Sequence, residues 1–223
     1  MRSKKRILIL ATDTNVGKTY VALRLLEHYA TQGLRVGAIK PIETGVSEAG
    51  AQDGRALWEA CHRLNPNFAS ITLDDVVPIT YPLPAAPAVA SGFMPTPWHK
   101  IEKALDRIEE VSDLVVIESA GGLLTPLDDK WTMVDLATKL SAVILLVVPD
   151  RLGTISHTSA ALEILSARAL RGLWCVNHHA NHHDYAIITR PWFEHHYGTI
   201  YHFEEDLATI AKLLWEEPCA TFS

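Results

Sequence analysis

The sequence predicts an α/β fold, a doubly wound and mainly parallel sheet flanked by helices. Three observations lead there. Short, uninterrupted apolar runs recur along the chain, helical patterns alternate with them, and the first run opens into a polar loop followed by a helix. A strand that is apolar at every residue suits burial on both faces, as in a parallel sheet covered by helices.

Ile7 to Ala11 is the first such strand. Tyr20 to Ala30 follows as a helix with Val21, Leu25 and Leu26 on one face. Val36–Ile39 is the second strand, and helices are predicted at Gly54–Leu64 and His99–Glu110 before a third strand at Leu114–Ile117. A helix at Met133–Leu140 leads to the strand Ala142–Val148. The Ala- and Leu-rich helix Ile155–Leu170 leads to Leu173–Val176, and Glu204–Trp215 is the last helix. Strands alternating with helices imply right-handed crossovers. Seven of the twelve prolines fall between Pro66 and Pro97, so that stretch is not one continuous helix. With strands on both sides, it reads as a long ordered loop near the active-site end of the sheet. Residues 1–223 then read as a single domain.

A chain of 223 residues buries roughly 70% of its unfolded surface and needs no covalent staple. The net charge of -6 argues against non-specific nucleic-acid binding, which relies on Lys and Arg. Cys61, Cys175 and Cys219 are far apart, odd in number and form no C-x-x-C pair, as expected of a reduced cytoplasmic compartment. The basic start and its short apolar run meet polar Thr12 at once, with no cleavage pattern, and no stretch approaches the ~20 apolar residues of a membrane span. Nucleic acid and membrane are therefore not expected partners.

Ala11-Thr12-Asp13-Thr14-Asn15-Val16-Gly17-Lys18-Thr19 lies between a buried strand and a helix, the context of a phosphate-binding P-loop, although Thr12 stands at the usual first glycine. Its amides and the helix N-terminus form a donor surface for phosphate oxygens. Lys18 is positioned for the β and γ phosphates, and the Thr19 hydroxyl for Mg²⁺.

Four segments in order resemble the dethiobiotin synthetases, P-loop NTPase-type enzymes. Ala11–Thr19 is similar to G-T-D-T-x-V-G-K-T, Lys40–Gly45 to K-P-x-x-[ST]-G, Glu118–Gly122 to E-G-A-G-G, and Gly153–His157 to G-x-I-N-H. The resemblance implies closure of a cyclic urea on 7,8-diaminononanoate from CO₂ and ATP, through a carbamate and its mixed phosphoric anhydride. It implies ATP as co-substrate, Mg²⁺ as cofactor and a homodimer. Lys18, Lys40 and Thr14 are then the catalytic candidates. Asp13 through Tyr20 (Asp13, Thr14, Asn15, Val16, Gly17, Lys18, Thr19, Tyr20) and Asn177 would hold nucleotide. Thr44, Pro87, Gly121, Gly122, Gly153, Thr154, Ile155, Ser156 and Tyr185 would hold substrate, the last five partly across the dimer. Thr19, Asp53 and Glu118 would hold the metal, and Mg²⁺ suits such hard oxygen ligands. Asp53 has a second reading as the N-cap of the following helix.

The sequence departs from the family pattern at Ala11, Ser119 and Ser156. Asn177-His178 stands where Asn-Asp is usual, and Tyr197–Tyr201 lacks the usual proline, so nucleotide preference stays open. His178, His179, His182, His183, His195 and His196 crowd one region and read as a polar loop or, alternatively, a metal site. The tryptophans, including Trp58, Trp131, Trp174 and Trp215, read as core or interface anchors. The rival functions are a partitioning-type ATPase switch, which has Lys where this chain has Asp13, a cobyric-acid-type amidotransferase domain, and a degenerate nucleotide-binding relative.

Overall fold

A computed structural model describes residues 4–178 and 185–218. Its main sheet has six strands, all parallel, in the order β2-β5-β1-β6-β7-β8. These are β1 (Lys5–Ala11), β2 (Val36–Ile39), β5 (Leu114–Glu118), β6 (Val143–Pro149), β7 (Gly172–Asn177) and β8 (Tyr201–His202). The first five match the apolar runs. Residues Ile7 to Ala11 and Val143 to Val148 are buried on both faces, as a sheet covered by helices requires.

The larger helices are α1 (Lys18–Thr31), α2 (Gln52–Leu64), α5 (Trp98–Val111), α7 (Thr154–Ala167) and α9 (Leu207–Glu216), with a short α6 (Asp135–Lys139). Helix α1 packs on α2, β5 and α9, turning Val21, Leu25 and Leu26 into the core. Among the described residues no helix is long and apolar enough to cross a membrane.

The proline-rich stretch is ordered, as expected, but it is not plain loop. It holds a 3₁₀ turn (Pro66–Ser70), α3 (Leu73–Val76), β4 (Thr80–Tyr81) and α4 (Pro87–Ala90). The amide of Lys40 donates to Val76 O at 2.8 Å, and β4 pairs in parallel with β3 (Glu43–Thr44). The stretch is thereby tied to the chain just beyond β2, where it walls the site described below.

The histidine-rich region also differs from expectation. A π turn (Tyr185–Thr189) leads into α8 (Arg190–Tyr197), with Pro191 in its first turn and Phe193 buried against Trp174. His179, His182, His183 and Cys219 lie outside the described residues. Trp58, Trp131 and Trp174 pack against the core, whereas Trp215 stays 43% exposed beside Tyr29.

Candidate active site

In a parallel sheet all strands end on one side, and ligands bind in the crevice outside those carboxyl ends. Here β1 ends in Ala11, β2 leads into Lys40, β5 ends in Glu118 and β7 in Asn177. The register then decides which side chains meet. Ile39 pairs with Ile117, so the next residue of β2, Lys40, is set beside the next residue of β5, Glu118. The Lys40 ammonium donates to Glu118 Oε1 at 2.8 Å and to Asp53 Oδ2, which arrives from the first turn of α2. From α1, the Thr19 hydroxyl donates to the same Glu118 Oε1 at 2.9 Å.

The phosphate loop folds over this pair. Gly17 caps α1 in the left-handed region (φ 87°), where no side-chain cap engages the first amides, so they remain open toward a ligand. Asn15 also has positive φ (55°), a conformation Asn tolerates better than most residues. Ala11 is the last strand residue and does not take positive φ, so its methyl costs no backbone strain at the position the family usually gives to glycine. Lys18 donates to Asp13 O at 3.2 Å and Gly121 O at 3.1 Å.

The electrostatics follow from burial. Lys18 is 8% exposed, and burial together with the neighbouring Lys40 charge pushes its ammonium down to about 8 against the pull of Glu118. Burial also opposes charge on Lys40, but Glu118 and Asp53 outweigh it and hold that ammonium above its ordinary value. Glu118 is 1% exposed, and burial pushes its carboxyl up against the pull of Lys40. Its second oxygen, Oε2, is buried with no hydrogen-bond partner among the described residues. A buried carboxylate oxygen without a partner is costly. Together with the Thr19 hydroxyl on Oε1 and the half-exposed Asp53 that shares the Lys40 ammonium, the Glu118 carboxylate is the kind of oxygen donor set that a hard divalent cation takes.

These residues open on a cavity of about 520 Å³ lined by Lys18, Lys40, Asp53, Thr14, Thr44 and Gly121, with Pro87 among the wall residues from the proline-rich stretch. A second opening of about 280 Å³, lined by Asn15, Gly17, Lys18, Thr19, Asp53 and Glu118, adjoins it. The predicted catalytic and metal candidates therefore share one neighbourhood.

Other candidates lie elsewhere. Gly122 faces away from this cavity, and a Cβ there would sit 3.0 Å from Thr12 O, so its backbone packs under the phosphate loop. Gly153 caps α7 in the left-handed region without a side-chain cap. Ser156 is exposed, Ile155 is half-buried, and the Thr154 side chain is buried against Thr158, so none of Gly153 to Ser156 lines the cavity of its own chain. Tyr20 points outward and donates to Glu204 Oε1 at 2.6 Å. Val16 is buried, and its carbonyl accepts from Asn177 Nδ2 at 2.9 Å, joining the end of β7 to the phosphate loop.

Tyr185, which the resemblance assigns to a substrate carboxylate, does not line the cavity of its own chain. It is 2% exposed and packs edge-on against His178 and His202, with ring centroids 5.2 and 5.7 Å away. Its hydroxyl oxygen is buried without a hydrogen-bond partner among the described residues. His178 in turn is 3.1 Å from Asp150 Oδ2 through Nδ1 and 2.8 Å from His202 Nδ1 through Nε2. Among the described residues, no group of three or more His, Cys, Asp or Glu is arranged to hold a metal ion. The second reading of Asp53, as the N-cap of the following helix, is not met. Ala51 is the cap position, and the Asp53 side chain is turned to Lys40.

Sequence reasoning missed two residues. Glu43, an unspecified position of the Lys40–Gly45 motif, accepts from the amides of Asp53 at 3.2 Å and Gly54 at 2.9 Å. Arg151 pairs with Asp13 of the phosphate loop from the turn before α7. A helix beginning at Ala51-Gln52, without a local capping side chain, was the available signal for Glu43. No comparable signal marked Arg151.

The chain is similar to known proteins in sequence and in fold. A family model described as an AAA domain matches residues 5–191. A plasmid partition protein from Borrelia burgdorferi has the same fold, with a TM-score of 0.56 at 13% identity over 96% of this chain and 99% of that one. The ATP-dependent dethiobiotin synthetase BioD of Wolinella succinogenes is 29% identical over 94% of this chain and 98% of its own length. That of Sulfurovum sp. (strain NBC37-1) is 35% identical over 208 residues, which are 93% of this chain and 99% of the relative. The chain belongs to the ATP-dependent dethiobiotin synthetase family.

Proposed function

We propose that the chain, acting as one synthetase domain over residues 1–223, makes dethiobiotin from 7,8-diaminononanoate, CO₂ and ATP. The observation that carries this reading is the convergence of Lys18, Lys40, Asp53, Glu118 and Thr19 beside one cavity. The reaction sets a carbamate against the γ-phosphate, and crowding of negative charge is its main obstacle. Preorganised cations and amides are the largest catalytic lever against such charge.

The first amine and CO₂ form the carbamate, which attacks the γ-phosphorus and releases ADP. The second amine then closes the ring and expels phosphate. The loop amides and Lys18 bind the β and γ phosphates. Lys40 leans toward the carbamate and the transferring phosphoryl group, and Thr14 and Thr44 donate hydrogen bonds from the cavity wall. The Ala86-Pro87-Ala88 turn borders the diamine. Glu118, Thr19 and Asp53 hold Mg²⁺, which when bound neutralises charge on the triphosphate. Asn177 and Tyr20 lie on the nucleotide side.

Gly153 to Ser156 are exposed or turned away within their own chain, and the N-terminus of α7 suits an anion. In a homodimer, that turn binds the diamine carboxylate of the other active site. The enzyme works in the cytoplasm. A partitioning-type switch is disfavoured because Asp13 stands where such switches carry Lys. Mass spectrometry of a reaction with diaminononanoate, bicarbonate, ATP and Mg²⁺ tests the reading. Dethiobiotin is expected, and its absence with folded protein at saturating substrates overturns it.

A further inference from the structure

Glu43 lies in a motif position that the family pattern leaves unspecified, and the chemistry above gives it no task. It is nonetheless a buried carboxylate, and such a group needs donors. Both donors come from one place, the first turn of α2. Oε1 accepts from the Asp53 amide and Oε2 from the Gly54 amide.

These are the amides that an N-cap side chain ordinarily satisfies, because the first turn of a helix has no intrahelical acceptors for them. The N-cap residue of α2 is Ala51, which has nothing to offer. Glu43 therefore performs from a separate strand the task a local Ser or Asp would perform. Its own backbone is anchored, because the Glu43 amide donates to Ile79 O at 3.0 Å and β3 pairs with β4. The helix also approaches closely enough to need a glycine. A Cβ on Gly54 would lie 3.1 Å from Glu43 Oε2 and 1.8 Å from Val77 Cγ2.

Asp53 sits in this same turn, with its carboxylate on Lys40. We propose that Glu43 is a positioning residue, which caps α2 from across the cavity wall and thereby fixes Asp53 against Lys40 and beside Glu118. The inference rests on the reading of Asp53 and Lys40 given under the proposed function. Glu43 also borders the cavity, so the competing account is direct contact with substrate.

The two accounts separate through rescue. Ala51→Ser adds one oxygen at the N-cap, within reach of the second and third amides of the helix, and restores no carboxylate at the cavity. The proteins to compare are the wild type, Glu43→Ala, and Glu43→Ala with Ala51→Ser. Hydrogen exchange at Asp53 and Gly54, Mn²⁺ affinity by electron paramagnetic resonance, nucleotide affinity, and kcat for dethiobiotin are then measured. Glu43→Ala should raise exchange at both amides at least about tenfold, weaken Mn²⁺ about tenfold and lower kcat with nucleotide affinity unchanged. Adding Ala51→Ser should return exchange, Mn²⁺ affinity and kcat toward wild type.

Unchanged exchange in Glu43→Ala overturns the proposal. So does recovery of exchange without recovery of kcat, which would make Glu43 a substrate contact. If Glu43→Ala does not fold, Glu43→Gln keeps the shape with one acceptor, and faster exchange at one of the two amides is expected. Exchange unchanged at both overturns the proposal. A wild type that makes no dethiobiotin sinks the functional reading, while exchange and Mn²⁺ binding still decide the role of Glu43.

Discussion

The two ends of the site are built by opposite means. At the phosphate end, Lys40 and Glu118 meet because β2 and β5 are in register, and each further partner adds one charge or one donor to that pair. At the far end, beyond β7, Asp150, His178 and His202 form a line of hydrogen-bonding groups closed off by Tyr185. The phosphate end leaves one oxygen, Glu118 Oε2, buried without a hydrogen-bond partner among the described residues. The far end also leaves Tyr185 Oη and His202 Nε2 buried without a partner among the described residues, but there the Asp150, His178 and His202 side chains bond one another. This contrast teaches that buried polar groups identify chemistry when they border a cavity, and shape the fold when they face one another.

The largest effect expected at the phosphate end is on turnover. Lys40→Ala should lower kcat by about 10²–10³, the range for losing one preorganised donor at developing charge, with nucleotide affinity nearly retained. Removing the ammonium also leaves Glu118 buried without its main counter-charge, so stability falls by about 3–5 kcal/mol. Lys40→Met, which fills the same space, separates lost packing from lost charge. Calorimetry for nucleotide and mass spectrometry for dethiobiotin decide the matter. Equal losses of affinity and turnover would reduce Lys40 to a binding residue.

A smaller effect should appear in the metal requirement. Asp53→Ala should shift the Mg²⁺ titration of activity upward by about tenfold, and Glu118→Ala by about 100-fold, with Glu118 the larger because it is buried and Asp53 is half exposed. A titration unchanged in both variants would remove them from the metal site and leave Lys40 with two merely structural partners.

The contrast between the two ends also explains what the sequence disclosed. The five apolar strands and the helices between them were legible because burial on both faces leaves a pattern in consecutive residues. The phosphate loop was legible because its parts are adjacent in the chain. The short strands β3, β4 and β8 have two residues each and exist only through their tertiary partners, so no local pattern announces them. The Lys40–Glu118 contact lies 78 positions apart in sequence and follows from strand register, which motifs do not encode. Glu43 was hidden for the same reason, since the helix it caps begins elsewhere in the chain. The ring contacts of Tyr185 with His178 and His202 were likewise not legible, because they join residues that only the fold brings together.

The smallest effect belongs to the far end and concerns pH. His202 is held below its ordinary value, chiefly by burial and then by the neighbouring His178 and Arg190, against the weaker pull of Glu205 and Asp206. Its neutral form is therefore the folded one. In the unfolded chain the imidazole takes up a proton below about pH 6.5, before the folded protein does. Over that window the unfolded state binds more protons, so stability rises with pH. The contribution is complete above about pH 6.5 and is lost as pH falls toward the folded value. His202→Asn removes the titration while keeping a polar group beside His178. Its unfolding free energy, measured from pH 7.5 to 5.5, should fall less steeply on acidification than that of the wild type. Parallel curves would mean that protonating His202 costs the folded chain nothing, and the far end would have to be reclassified as solvent-linked.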